Sequence, residues 1–253
     1  MDLTDPMDDA RPPAGGAVAG DDDGRADGEE VRRRLVLALD VDDLVAAMRL
    51  GRELLPWFGT MKIGLELYSA AGPEAISAIS ELGADVFCDL KLHDIPSTVE
   101  RSARVLGGLG VRYLTLHTAG GATMVRAGVE GLRAGAAGSG SPEPVALAVT
   151  VLTSEPEAGP RLVRQRVTTG LDGGCRGFVC GPPELRTVRR IAPRALLVTP
   201  GIRPEGTPVD DQARVATPAQ AVAAGADLLV VGRAVTRADD PVRAARALAA
   251  SVK

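Results

Sequence analysis

The chain has 253 residues, 45% hydrophobic but only 2% aromatic, so it can bury a sizeable core built mainly from Val, Leu, Ile and Ala. A formal net charge of -4, with no basic stretch interleaved with aromatics, argues against nucleic-acid binding, and no run approaches the roughly 18 apolar residues of a membrane span. Cys88, Cys175 and Cys180 are an odd set without zinc-ligand spacing, and the acidic N-terminus lacks a secretion signal's basic-then-apolar pattern, so a cytoplasmic protein with reduced thiols is expected.

In chain order, residues 1–30 come first, with ten acids and two arginines, a net of -8 that leaves +4 for residues 31–253. With no apolar periodicity to bury, this stretch reads as a disordered acidic tail. The mildly basic remainder suits an anionic ligand. Short apolar runs then recur: Leu35–Leu39, Met61–Leu65, Asp85–Leu90, Tyr113–Leu116, Val145–Val151, Gly177–Cys180, Ala195–Val198 and Asp227–Val231. Continuous runs of this length fit strands buried on both faces of a parallel sheet. Helical segments alternate with them at Asp43–Leu55, Pro73–Leu82, Ser97–Leu106, Thr123–Ala134, Pro183–Ile191 and Pro218–Ala224, and Ser97-x-x-Glu100 reads as a capping box. Eight such units over about 220 residues predict an α/β fold, a single-domain (β/α)8 TIM barrel spanning 31–253. An open doubly wound sheet fits less well, because no G-x-G-x-x-G follows the first strand.

In a barrel the chemistry gathers at the carboxyl ends of the strands. Here those ends carry Asp40, Lys62, Asp89 and Lys91, His117, Thr150, Arg203, and Gly232-Arg233. Lysine is the informative residue. It occurs three times against twenty-six arginines, and Lys62 and Lys91 sit at these ends. Arginine stays protonated in proteins, whereas an ammonium can hand over a proton, so a lysine retained in this background points to acid–base chemistry. Asp89 and Lys91, two apart on a strand, are expected to face the barrel mouth together, with Asp94 beyond the strand end. His93 and His117 read as hydrogen-bonded strand-end histidines rather than bases. Gly232-Arg233 after the last strand, with Arg203 one loop earlier, fits a phosphate grip of close backbone approach and bidentate guanidinium.

Taken together, these strings resemble the orotidine 5′-phosphate decarboxylase family from about Leu35 onward. The resemblance rests on Leu37-Ala38-Leu39-Asp40, Lys62-Ile63-Gly64, Asp89-x-Lys91-x-x-Asp94-Ile95-Pro96, Leu152-Thr153-Ser154, Pro200-Gly201-Ile202-Arg203-Pro204, Asp210-Asp211-Gln212 and Gly232-Arg233. Ser97 stands where asparagine is more usual in the family. The resemblance implies decarboxylation of orotidine 5′-monophosphate to uridine 5′-monophosphate in pyrimidine biosynthesis. It implies Asp89, Lys91 and Asp94 as the catalytic charge array, with Lys91 protonating C6. Asp40 and Lys62 would hold the ribose, Thr153 and Ser154 the pyrimidine edge, and Arg203, Gly232 and Arg233 the phosphate. Gln212 would sit on a loop closing over base and phosphate. A homodimer is implied, with Asp94 and Thr98 reaching into the neighbouring subunit's site, and neither metal nor organic cofactor.

The D-x-K-x-x-D core is shared with Mg-dependent sugar-phosphate decarboxylases and aldolases, which form the alternative reading. In those enzymes the carboxylates would ligate the metal. A non-catalytic barrel that binds a phosphate ligand is a further alternative, but it gives Lys91 no task.

Overall fold

The eight apolar strings pair in chain order as a closed parallel barrel in a computed structural model, which describes residues 22–152, 159–204 and 215–252. Its wall consists of β1 (Leu35–Leu39), β2 (Thr60–Gly64), β3 (Asp85–Leu92), β4 (Tyr113–His117), β5 (Val145–Val149), β6 (Gly177–Val179), β7 (Leu196–Thr199) and β8 (Leu228–Val231). Pairing of Leu35 with Leu229 and Leu37 with Val231 closes β1 onto β8. The helices run α1 (Asp22–Arg34) before β1, α2 (Leu44–Leu54) after it, then α3 (Leu65–Ala71) and α4 (Pro73–Glu81) between β2 and β3. One helix each follows β3 to β7: α5 (Pro96–Gly108), α6 (Gly121–Ser139), α7 (Pro160–Asp172), α8 (Leu185–Ile191) and α9 (Pro218–Ala223). After β8 come α10 (Arg233–Thr236) and α11 (Pro241–Ala250). The chain thus forms the single (β/α)8 barrel that its rhythm predicts.

Strand alternation sorts the core into two compartments. Leu35, Leu37 and Leu39 point outward, into the layer under the helices, whereas Val36 and Ala38 point into the barrel with Phe87, Tyr113, Leu147 and Val230. Both faces of most strands are therefore largely buried, which is why the strings are apolar without alternation. At the opposite mouth from the strand carboxyl ends, Arg189 of α8 ties two strands together. It donates to the carbonyls of Ala195 and Gly225, each at 2.7 Å, and to Asp227 Oδ2, which also accepts the Leu197 N–H at 2.7 Å.

α5 and α6 pack closer than side chains ordinarily allow. Gly131 and Gly135 of α6 lie against the backbone of α5, so a Cβ at Gly131 would fall on the Glu100 carbonyl oxygen and one at Gly135 on that of Arg104. Gly107 of α5 meets the Leu132 carbonyl in the same way. Two helices held at backbone contact leave α5 little freedom to slide, and α5 follows directly from the loop that carries Asp94.

Several local expectations differ from the structure. The tail reading covers 1–30, yet the chain is helical from Asp22. Glu30 pairs with Arg34 at 3.0 Å one turn on, and the Arg32 carbonyl accepts the Gly59 N–H at 2.8 Å, so the end of α1 is fastened to the barrel. Residues 1–21 lie outside the described residues. No capping box forms at Ser97: Pro96 occupies the first helical position, Ile95 becomes the cap residue, and Glu100 pairs with Arg104 instead. A capping box does form at Thr217 and Gln220, at the start of α9. Helices α3, α7, α10 and α11 have no counterpart in the sequence reading. In α7 only Val163, Val167 and Gly170 are buried, among arginines and threonines, which leaves a faint periodic signal.

The irregularity that matters lies in β3. Cys88 pairs with Leu114 and Leu92 with Leu116, so β3 advances four residues while β4 advances two. Within that bulge Lys91 has φ 48°, the one positive φ among the described non-glycine residues. A lysine in the left-handed region is strained.

Candidate active site

The carboxyl ends of the strands enclose a cavity of about 430 Å³, lined by Asp40, Lys62, Asp89, Lys91, Arg203, Gly232 and Arg233 among others. The first four form a chain of alternating charge. Asp40 Oδ1 accepts from Lys62 Nζ at 3.0 Å, Lys62 Nζ lies 3.8 Å from Asp89 Oδ2, and Asp89 Oδ1 accepts from Lys91 Nζ at 2.9 Å. The Lys62 side chain is nearly sealed, 11% exposed, whereas 32% of the Lys91 side chain, which lines the cavity, is exposed. The buried Lys62 and the half-buried Lys91 each have a carboxylate within ion-pair distance, as charges withdrawn from water require. Of the two ends of this chain, Asp40 is the more exposed, and Lys91 is the cationic one. That is where a reacting anion can be met.

Each of these positions follows from local structure. Asp40 is the residue after β1, and Lys62 is the central residue of β2. Gly64 at the end of β2 leaves the pair its room, since a Cβ there would stand 3.2 Å from Lys62 Nζ and 3.4 Å from Asp40 Oδ1. Asp89 and Lys91 do share the cavity as their spacing predicts, but a flat strand is not what aims Lys91. The bulge turns its backbone, and the buried Thr115 of β4 receives the Lys91 N–H at 2.8 Å. The same hydroxyl lies 3.1 Å from Asp89 Oδ1. Sequence reading missed Thr115. A lone hydroxyl at the inward position of Tyr-Leu-Thr-Leu-His, between Tyr113 and His117, was the available signal.

Across the mouth, Arg203 is 7% exposed, and its N–H donates to the Ala216 carbonyl at 3.0 Å. Ile202 and Ala216 form a parallel bridge, so the chain leaves for residues 205–214 and returns from them beside the cavity. Gly232 caps α10, and a Cβ on it would stand 3.4 Å from Ala38 Cβ and 3.6 Å from Asp40 Oδ2. That closeness keeps the backbone of the eighth strand end near the first. Arg203 and Arg233 thus share a wall of the cavity with Gly232, while the lysine–aspartate chain occupies β1 to β3.

Three of the expected residues, Thr153, Ser154 and Gln212, lie outside the described residues. Asp94 and Thr98 do not line this cavity. Asp94 is exposed, and its Oδ1 accepts the N–H of the adjacent Ile95 at 2.6 Å. His93 and His117 stack with ring centroids 5.5 Å apart, and His117, the last residue of β4, accepts the Ala119 N–H on Nδ1 at 3.1 Å, as expected of a hydrogen-bonded strand-end histidine. All three cysteines are buried and free. Cys180 lines the cavity, but burial, with a smaller contribution from the Glu184 charge, pushes its thiol far above the ordinary range. Burial, then the Asp89 charge, pushes the Cys88 thiol up to about 12. Among the described residues no group of three or more His, Cys, Asp or Glu side chains could hold a metal ion, and no helix is long and apolar enough to cross a membrane.

Comparison with known proteins agrees with this geometry. Residues 33–248 match the model of the orotidine 5′-phosphate decarboxylase / HUMPS family. The orotidine 5′-phosphate decarboxylase of Moorella thermoacetica is 45% identical over 232 residues, which covers 87% of this chain and 92% of that protein. That of Anaeromyxobacter sp. (strain K) is 47% identical, with 87% and 98% covered. Among solved structures, the orotidine 5′-phosphate decarboxylase from Lactobacillus acidophilus superimposes with a TM-score of 0.73 at 32% identity, covering 87% of this chain and 99% of that one. An uncharacterized conserved protein from Geobacillus kaustophilus gives the same TM-score and identity. Lys91 in its carboxylate setting, the paired arginines across the cavity and the matches along most of the chain lead to one assignment: this protein belongs to the orotidine 5′-phosphate decarboxylase / HUMPS family.

Proposed function

We propose that this protein converts orotidine 5′-monophosphate to uridine 5′-monophosphate and CO2 without metal or organic cofactor, with Lys91 as the proton donor to C6. The observation that carries this reading is the charge chain ending on Lys91, an ammonium held by Asp89 and open to the cavity. In the reaction the C6–carboxylate bond breaks heterolytically. Its electron pair stays on C6 as CO2 departs, and the Lys91 ammonium supplies the proton that completes the C6–H bond. The amine left on Lys91 is reprotonated from solvent.

A carbanion at C6 is poorly delocalised, so the enzyme must stabilise charge where it forms. Reductions of barrier by enzymes run to ~8–23 kcal/mol. Repulsion between Asp89 and the substrate carboxylate belongs to ground-state strain, worth ~1–5 kcal/mol. The preorganised ammonium is therefore assigned the larger share. Asp40 and Lys62 are assigned to the ribose hydroxyls, and Arg203, Gly232 and Arg233 to the phosphate, an assignment supported by their shared cavity. Thr153, Ser154 and Gln212 are assigned to the base and the closing loop by family pattern alone. Phosphate contacts remote from C6 can drive closure and so express binding energy in the transition state.

The arrangement of the carboxylates supports chemistry without a metal. Lys62 Nζ stands between Asp40 and Asp89, and Lys91 takes the remaining side of Asp89, so a divalent cation would have to displace ammonium groups. The active unit is assigned as a homodimer in which Asp94 and Thr98 complete the partner's site. Exposure of Ile95 at 63% and Val105 at 60%, beside Asp94 and along α5, supports an interface there. The deciding experiment follows the ultraviolet absorbance of orotidine 5′-monophosphate with purified protein, with and without EDTA. Turnover unaffected by chelator is expected. Turnover abolished by chelator and restored by Mg2+ would return the protein to the metal-dependent alternative.

A further inference from the structure

We infer that Thr115 is a positioning residue for Lys91, fixing both ends of that side chain through one hydroxyl; this rests on the assignment of Lys91 as proton donor. Thr115 stands on β4 between Leu114 and Leu116, the two residues that bracket the bulge in β3. A bulge leaves ladder groups without their strand partners. Here the Lys91 N–H is the group in question, and it donates to Thr115 Oγ1 at 2.8 Å. Thr115 is fully buried, which shields its side of that bond from water.

The hydroxyl has one proton to give. Asp89 Oδ1 lies at 3.1 Å and the Cys88 carbonyl at 3.5 Å, so the carboxylate is the better acceptor. Asp89 Oδ1 also receives Lys91 Nζ at 2.9 Å. The contacts therefore close a ring: Lys91 N–H to Thr115, Thr115 to Asp89, and Lys91 Nζ to the same Asp89 oxygen. Lysine has a long flexible stem, and its head is localised only if both its backbone origin and its charged partner are fixed. Thr115 does both. It also answers why Lys91 tolerates φ 48°, since the hydrogen bond on its N–H holds a backbone that a lysine would not adopt unaided.

The test compares Thr115→Val, Thr115→Ala and Thr115→Ser with the parent protein, each assayed at saturating orotidine 5′-monophosphate and normalised to sites titrated with uridine 5′-monophosphate. Valine keeps the shape and loses the hydroxyl, alanine loses it without an apolar branch beside Asp89, and serine keeps it. Valine and alanine are expected to lower kcat about tenfold or more, with KM and product affinity within ~3-fold, because misplacing a reacting group costs the chemical step rather than binding. Serine is expected to stay within ~3-fold of the parent kcat. A fold-support role alone would lower the melting temperature but leave kcat per titrated site unchanged. The inference is overturned if kcat survives in the alanine or valine protein, if the loss lies in KM, or if serine is impaired as much as alanine. A parent protein that binds the nucleotide but does not turn it over would sink the decarboxylase reading itself, before any variant is compared.

Discussion

Lys91 has two tasks in the proposed reaction, charge stabilisation and proton delivery, and substitution separates them. Lys91→Ala removes both and is expected to abolish measurable turnover while leaving affinity for uridine 5′-monophosphate within roughly tenfold, because the arginine wall is untouched. Lys91→Arg keeps a cation beside Asp89 but offers no transferable proton, and should be nearly as inactive. Steady-state assays paired with calorimetric titration of product measure both. An arginine variant with substantial activity would show that proton delivery falls to another group. Lys62 makes a useful contrast, because it has the same functional group yet is sealed between Asp40 and Asp89. In the proposed reaction, burial and access, rather than residue type, set the two lysines' tasks apart.

At the level of elements, the helix pair α5–α6 makes the sharpest claim about stability. Gly135→Ala adds a methyl that must push the Arg104 carbonyl aside, and main chain cannot rotate out of the way. The gain in helix propensity, about 1 kcal/mol, works in the opposite direction and should be outweighed by an overpacking cost of ~1–3 kcal/mol or more. Gly138→Ala on the same helix meets nothing within 4 Å and should stabilise the protein slightly. Thermal unfolding of the two variants should therefore shift in opposite directions. If both rise, the close approach of α5 and α6 is wrong.

This packing also marks how far the sequence is legible. The strand strings could be read because burial on both faces leaves a strong apolar signature, and β1 runs over the expected residues. Asp40, Lys62, Asp89, Lys91, Arg203 and Arg233 could be read because polar residues in or just after the strand strings stand out against that background, although Lys62 lies at the centre of β2 rather than at its end. The α6 glycines could not, since glycine in a helix reads as weakness until the partner helix is seen beside it. Neither could the bulge, because nothing in Asp-Leu-Lys-Leu announces a left-handed lysine. The Ser97 capping box failed because Pro96 takes the first helical position and makes Ile95 the cap residue.

On the scale of the whole molecule, the proposed dimer predicts complementation. Lys91→Ala and Asp94→Ala should each be inactive alone. In a mixed dimer one site receives both substitutions, and the other combines an intact Lys91 with its partner's intact Asp94. Random exchange at equal amounts makes about half the dimers mixed, so activity should return to roughly a quarter of the parent value if sites act independently. Co-expression with two affinity tags isolates the mixed species for assay. Purified mixed dimers without activity would place both residues in one chain's site and remove the shared-site assignment.

The scarcity of lysine turns the cavity into a labelling target. Of the three lysines in the chain, the two in the described residues both line the cavity, with 11% of the Lys62 side chain and 32% of the Lys91 side chain exposed. Apart from Lys253 and the chain's α-amino group, a small amine-selective acylating reagent finds no other amine, because the twenty-six arginines do not acylate under the same conditions, and peptide mapping separates the sites. The mass added at Lys91 then serves as a gauge of vacancy, falling as nucleotide fills the cavity, and it reads occupancy without waiting for turnover.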